Sequence, residues 1–292
     1  MATLHIYEPP FFEGSGVRAS FCSECGFVHL DPLPDAGNLA DYYRKKFWQD
    51  EKVGAFELIC NEEPWRRKVY SLYARILGAM VPPGLRRRRI FDFGSGHGLF
   101  AAVMADAGWD TWAVEPSREA SQHAFGWRRN KGAGTLIVAH DTIEGFRMGE
   151  GEADAVSLLW LLEHVPDPAA LLGRIRVLLR PEGALLLIVP NEPLKGGPPF
   201  LHPTHCNYWD WPSVNGLLGR CGFKPELVLG TAPMHSFLPT VDYLKHAELG
   251  GRLHELIRET ESGLTEEGLF RRMRWYAGNG CRDLVVFARR AR

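Results

Sequence analysis

Apolar positions along this chain follow two rhythms in turn. Val69, Leu72, Tyr73, Ile76 and Leu77 recur at three- and four-residue spacing, which predicts a helix that begins near Pro64 and is stopped by Pro82, Pro83 and Gly84. From Arg89 onward, short apolar runs alternate with helical spacing. The runs at 90–93, 111–114, 135–139, 153–159, 184–189, 227–229 and 284–288 have the length and composition of strands. Between them, 99–107 reads as a helix ended by Gly108, and Ser117 stands where it can cap a helix after Pro116. The stretch 168–179 carries Leu171, Leu172, Ile175 and Leu179 on one face, 181–183 reads as a turn, and 212–218 as a further helix. Strands alternating with helices, several of them continuously apolar, predict an α/β fold with a parallel sheet covered on both faces.

The two regions outside this alternation differ in character. Residues 1–65 are rich in aromatics and are broken by Pro9, Pro10, Pro32 and Pro34, which predicts an irregular N-terminal cap with one or two short helices before a main domain at 66–292. Between the last two strands lies a long connection, 231–280. Leu249, Leu253, Leu256 and Ile257 have helical spacing there and 264–273 reads as a second helix, so the segment is expected to be a helical insertion that lids the second substrate.

Composition narrows the function classes. At 45% apolar and 24% charged the chain is an ordinary globular protein, and its formal charge of −1 provides no global field to gather nucleic acid or an anionic membrane. The densest local charge, Arg86 to Arg89, reads as a solvated helix end or loop. The longest apolar stretch falls far short of the roughly 18 residues a spanning helix needs, and residues 1–12 lack a basic segment followed by an apolar one, so a cytoplasmic location is expected. Six scattered cysteines suit free thiols in a reducing compartment.

The informative stretch runs Ile90-Phe91-Asp92-Phe93-Gly94-Ser95-Gly96-His97-Gly98-Leu99-Phe100, a strand that passes through three glycines into a helix. Glycine is needed where the backbone turns with positive φ and where a ligand must approach the main chain closely. The helix beyond offers its first N–H groups to an anion. The third glycine arrives one residue too early for the dinucleotide fingerprint, which disfavours a nicotinamide cofactor. Glu115 closes the second strand 21 residues after Gly94 (115 − 94), where a carboxylate can accept both hydroxyls of a ribose.

Taken together, Asp92-x-Gly94-x-Gly96-x-Gly98, Glu115, Leu162-Glu-His-Val-Pro-Asp-Pro168 and Leu178-Leu-Arg-Pro-Glu-Gly-Ala-Leu-Leu-Leu-Ile-Val-Pro-Asn191 resemble the class I S-adenosylmethionine-dependent methyltransferases, in their ubiquinone-methyltransferase-like branch. The resemblance covers about 85–230 and departs at Glu182, where the family usually has a second glycine. It implies a Rossmann-like seven-stranded sheet and S-adenosyl-L-methionine as cofactor, with S-adenosyl-L-homocysteine as product. By the same likeness Asp92, Gly94, Ser95, Gly96 and Gly98 form the loop around the methionine part, and Glu115 holds the ribose. Pro116 and Ser117 border the adenine, Asp141 and Thr142 receive its amino group, and Trp160 and Leu161 lie near the sulfonium. In relatives the N-terminal lead folds over the cofactor, which points to Tyr43, or to its neighbour Tyr42, as a closing side chain.

Competing readings stay open at several of these positions. Asp141 suits a helix N-cap as well as an adenine contact, and Trp160 suits core packing as well as the sulfonium. His97 is expected to be a solvated side chain rather than a catalyst. A hydroxyl acceptor needs a base, and His164, His202 and His205 are the candidates, with bracing of the next helix the alternative for His164. Tyr208, Trp209 and Trp211 either wall an acceptor pocket or pack the following helix.

The expected acceptor is a small-molecule oxygen or nitrogen. No Asn/Asp-Pro-Pro-aromatic signature follows the fourth strand, which argues against a nucleic-acid partner; a nucleic-acid or protein methyltransferase and a silent cofactor-binding scaffold are the other readings. Cys22 and Cys25 have the spacing of one zinc knuckle with its second pair missing, so no metal is expected. Oligomeric state leaves no mark in the sequence.

Overall fold

The computed structural model describes residues 6–7, 18–21, 28–33, 36–45, 47–48, 54–82, 87–147, 149–191, 205–232, 235–240 and 283–291. In chain order the elements are β1 (Ile6–Tyr7), β2 (Arg18–Phe21), β3 (Val28–Asp31), α1 (Ala36–Lys45), α2 (Ala55–Met80), β4 (Arg88–Phe93), α3 (Leu99–Asp106), β5 (Trp109–Val114), α4 (Arg118–Ser121), β6 (Leu136–Ala139), β7 (Ala153–Leu159), α5 (Pro168–Leu178), β8 (Leu179–Pro190), β9 (Asn207–Tyr208), α6 (Trp211–Arg220), β10 (Phe223–Ala232), β11 (His235–Thr240) and β12 (Asp283–Arg290). Short 3-10 turns at Ala124–Trp127 and Leu162–His164 complete the described set. No described helix is long and apolar enough to cross a membrane.

The main sheet runs β11-β10-β12-β8-β7-β4-β5-β6, so all seven expected strands are present and an eighth lies at the edge. Strands β8, β7, β4, β5 and β6 are parallel, and β12 inserts antiparallel between β8 and β10. The continuous apolar runs follow from burial on both faces. Leu185, Leu187 and Val189 of β8 join one core with α5 and α6, while Ala184, Leu186 and Ile188 join the other with α2 and α3. Ligands of open parallel sheets bind beyond the carboxyl ends of the strands, and here Gly94, Glu115 and Trp160 all stand at that edge.

Four local expectations are corrected. The helix expected from about Pro64 begins at Ala55, because Pro64 sits on an exposed turn where water can meet the Cys60 carbonyl that lacks its N–H partner. The turn at 181–183 is instead a bulge within β8, where Ala153 pairs with Leu179 and Ala155 with Ala184, and Glu182 takes φ +63°. Arg88 and Arg89 are the start of β4 rather than a helix end, their charge tolerated because this strand end projects into water; Arg89 pairs with Glu152 at 3.6 Å. The first part of the expected helical insertion is strand: β10 is longer than its apolar signal and turns back into β11, leaving 241–282 outside the described residues.

The N-terminal lead is more regular than its prolines suggest. β1, β2 and β3 form an antiparallel sheet completed by β9, which comes from beyond the fifth parallel strand. Leu30 N–H donates to Cys206 O at 2.9 Å and Cys206 N–H to Glu163 O at 2.7 Å, so this small sheet is stitched to the edge of the large one. Strand signals of two to four residues have too few positions to display alternation. Cys22 and Cys25 lie outside the described residues.

Candidate active site

The loop between β4 and α3 is shaped by positive φ at Gly94, Gly96 and Gly98. Gly98 has the tightest requirement: at φ +76° an added Cβ would stand 2.9 Å from the Ala124 Cα and closer still to its Cβ. A Cβ at Gly96 would meet the Trp48 ring at 3.0 Å, and one at Gly94 the Leu161 side chain at 3.0 Å. These two side chains therefore lie directly on the loop backbone. Ser95 Oγ is buried in the same loop with no hydrogen-bond partner among the described residues. Such an atom costs free energy unless a ligand group meets it.

Two carboxylates are buried beside the loop. Glu115 accepts from Gly96 N–H and Ser117 N–H, each at 3.0 Å, and from the side chain of Trp48. Burial raises its pKa and those three donors oppose the rise. Asp92 accepts from Ser157 Oγ at 2.7 Å; burial, added to by the nearby Glu115 charge and opposed by Ser157, pushes it up to about 7. The crevice thus concentrates negative charge away from water, an arrangement that favours a ligand carrying positive charge and hydroxyl donors.

Around this centre, Ser117 caps α4 by accepting from Ala120 N–H at 3.3 Å, and Pro116 beside it is half-buried. Asp141 accepts from its neighbour Thr142 N–H at 2.8 Å, while Thr142 Oγ1 accepts from Gly145 N–H at 3.2 Å, so both organise a turn after β6 rather than a helix start. Trp160 has φ +50°, unusual for a bulky residue, and its indole donates to Asp283 Oδ1 at 3.1 Å. Leu161, rather than the Trp160 ring, is the side chain that touches Gly94.

His97 corrects its expectation, since it is only 7% exposed. Phe56, Trp48 and His123 surround its ring, with the Trp48 centroid 4.7 Å away; desolvation there lowers its pKa. Trp209 is packed into the core shared with α5 and α6, so it is core rather than acceptor wall, and Trp211 packs against the same cluster.

A second group lies at the 3-10 turn after β7. Tyr43 of α1, expected against the cofactor, places its hydroxyl 2.8 Å from His164 Nδ1. His205 stands edge-on to His164 with ring centroids 5.0 Å apart, and Phe47 flanks His164 at 5.7 Å. His202 lies outside the described residues. The donor atoms of Glu163, His164 and His205 fall within 4.8 Å of one another, the grouping among the described residues that could hold a metal ion.

Two residues of this region carry no clear sequence signal. Trp48 belonged to a visible aromatic cluster, but nothing in its spacing distinguishes it from Tyr42 or Phe47 as the partner of Glu115. Arg66 looks like half of a surface pair, and it does bind Glu62 at 2.7 Å. Its side chain is nevertheless only 11% exposed, hydrogen-bonds Tyr70, and acts electrostatically on His97 of the glycine loop.

Comparison with known proteins agrees with this architecture. Curated relatives include ubiquinone biosynthesis O-methyltransferases of Haemophilus ducreyi, 31% identical over 121 residues that make 38% of this chain and 49% of the relative, and of Methylococcus capsulatus, 32% identical over 171 residues, 58% and 65%. The chain spans about half the length of most of these relatives. Among solved structures, the Burkholderia thailandensis 1,6-didemethyltoxoflavin N1-methyltransferase, holding 1,6-didemethyltoxoflavin and S-adenosylhomocysteine, superposes with a TM-score of 0.55 at 18% identity over the whole of both chains. SpnF, a cyclase, superposes with a TM-score of 0.51 at 15% identity over 76% of this chain and 80% of its own. At these identities the likeness is one of fold. A model of the methyltransferase domain matches residues 65–228, more than half of the sequence, and the chain belongs to that methyltransferase-domain family.

Proposed function

We propose that the protein transfers a methyl group from S-adenosyl-L-methionine to a small-molecule oxygen or nitrogen, in the biosynthesis of a metabolite or natural product. The observation that carries this reading is the pairing of a bare glycine loop with two buried carboxylates and with Ser95 Oγ, which has no partner among the described residues. When bound, the cofactor supplies an activated methyl on a positively charged sulfur. Glu115 accepts the ribose hydroxyls. Loop N–H groups, the α3 N-terminus and Arg66 receive the methionine carboxylate, and the negative charge of Asp92 and Glu115 favours the ligand's cationic part. Leu161 on Gly94 fills the apolar side of the same space.

The chain's remaining task is alignment and proton removal. Alignment alone is a large source of rate in a displacement that forms no covalent enzyme intermediate. His164 or His205 takes the acceptor's proton, and Tyr43, Phe47 and Trp48 close the crevice against water. Relatives named as O-methyltransferases favour a hydroxyl acceptor.

Titration of the full chain with S-adenosylmethionine, S-adenosylhomocysteine and a nicotinamide dinucleotide tests the cofactor. Saturable binding of the first two alone is expected, followed by product formation when phenols and heteroaromatic amines are screened. Binding without turnover on any acceptor would favour the silent-scaffold reading instead.

A further inference from the structure

We infer that Asp283 is a positioning residue for the cofactor crevice: from the start of β12 its carboxylate accepts from the Trp160 indole and so holds Trp160 in the left-handed conformation that turns Leu161 onto Gly94. This rests on the reading of the glycine loop as the cofactor's binding surface. Side chains of a strand alternate between its two faces. Leu158, near the end of β7, lies in the core shared with α5 and α6, and Leu159 packs against the core shared with α2 and α3. Continued extension would send Trp160 back to the first face and Leu161 to the second. The reverse is observed: Trp160 packs on the α2 face beside Leu159, and Leu161 on the other. The exchange takes place at Trp160, whose N–H still donates to Ile188 O at 2.9 Å as a ladder residue would, while its φ is +50°.

Glycine would adopt that conformation freely, whereas a bulky residue keeps it only where surrounding contacts hold it there. The contact that fits is the indole N–H, which donates to Asp283 Oδ1 at 3.1 Å. Asp283 is 2% exposed and pairs with Pro190 at the carboxyl end of β8, so the bond reaches from the end of β7 across β8 to β12. Away from water, a hydrogen bond to a carboxylate is among the stronger ones. Its consequences lie at the site. Leu161 is brought against the glycine loop, where a Cβ on Gly94 would meet its side chain at 3.0 Å. Leu161 O accepts from His164 N–H at 3.0 Å, which forms the 3-10 turn that follows. Asp283 thus acts through Trp160 on the apolar wall beside Gly94.

The test measures S-adenosylmethionine affinity of the full chain by calorimetry, with denaturant unfolding of each variant alongside. Asp283→Ala is expected to weaken binding about 10-fold, the low end for a hydrogen bond to a charged group. Asp283→Asn, which keeps a side-chain oxygen for the indole, is expected to stay within about threefold of the native affinity. Trp160→Gly takes up the left-handed turn unaided, so in that background Asp283→Ala is expected to change affinity less than about twofold. A purely structural Asp283 would lower the unfolding midpoint while the folded variant bound the cofactor as the native chain does. Where Asp283→Ala does not fold, Trp160→Phe removes the same bond from its other end and carries the same expectation. Native affinity in folded Asp283→Ala or in Trp160→Phe, or an undiminished loss from Asp283→Ala in the Trp160→Gly background, would overturn the inference and leave the cofactor reading standing. No binding by the native chain would overturn that reading and this inference with it.

Discussion

The side chain of Trp48, from the N-terminal lead, donates to Glu115, the carboxylate that closes the second parallel strand. The same indole lies against Gly96, whose N–H is another of the donors on Glu115. One aromatic residue from outside the parallel sheet thus closes over both the loop and its acidic partner. Trp48→Phe keeps an aromatic ring and removes the donor, and is expected to weaken S-adenosylmethionine binding by about 1.5 kcal/mol, the low end for a hydrogen bond to a charged group. Calorimetry would read the loss directly; tighter binding in the variant would mean that Trp48 competes with the cofactor instead of holding the closed crevice.

Asp92 gives the site a pH signature. Its carboxyl is pushed up to about 7 by burial, above the ordinary unfolded value of about 3.9. Between those values the folded state binds more protons than the unfolded one, so this group's contribution makes stability fall as pH rises from about 4 to about 7. A cationic ligand favours the ionised form, so cofactor binding near pH 7 is expected to release up to about half a proton. Binding enthalpies measured in buffers of different ionisation heat would show it, and Asp92→Asn should abolish the buffer dependence. A proton taken up on binding would contradict the assignment.

Gly98 joins loop shape to helix packing. Gly98→Ala is expected to destabilise the protein by about 2–3 kcal/mol, combining a left-handed backbone with a clash against Ala124. Ala124→Gly in the same chain should relieve the part due to the Ala124 Cβ and leave the backbone strain together with the close approach to the Cα at that position. Chemical denaturation of the two variants separates these contributions, and an unaffected Gly98→Ala variant would show that the loop can take another shape.

Glu182 is the opposite case, a side chain where glycine would sit without strain. With φ +63° it holds a conformation that costs an L residue about 1–2 kcal/mol, of which glycine's greater unfolded freedom returns part. Glu182→Gly is therefore expected to stabilise the fold by about 0.5–1 kcal/mol. Thermal unfolding would show a raised midpoint; a lowered one would mean that the Glu182 side chain contributes more than its backbone costs.

Legibility of the sequence followed how local each signal was. The alternation from Ile90 to Ala288 and the spacing of Gly94, Gly98 and Glu115 are properties of neighbouring residues, and the sheet and its crevice follow from them. Where two distant segments meet, the pattern is silent. Tyr43 finds His164 across 121 positions, Trp160 finds Asp283 across 123, and β3 finds β9 through two residue pairs. The left-handed Glu182 shows in the sequence only as a departure from a family glycine, and its residue type does not announce its φ. At His97 the sequence misleads, because a polar residue among glycines suggests water, whereas Trp48, Phe56 and His123 arrive from elsewhere to cover it.

The central claim is that Glu115 and the glycine loop together grip an adenosyl cofactor. The most direct test is calorimetric titration of the native chain and of Glu115→Ala with S-adenosylmethionine. Saturable one-site binding by the native protein and a loss of about 1.5–3 kcal/mol in the variant, the range for hydrogen bonds to a charged group, are expected. Equal affinity in the two proteins, or none in either, would contradict it.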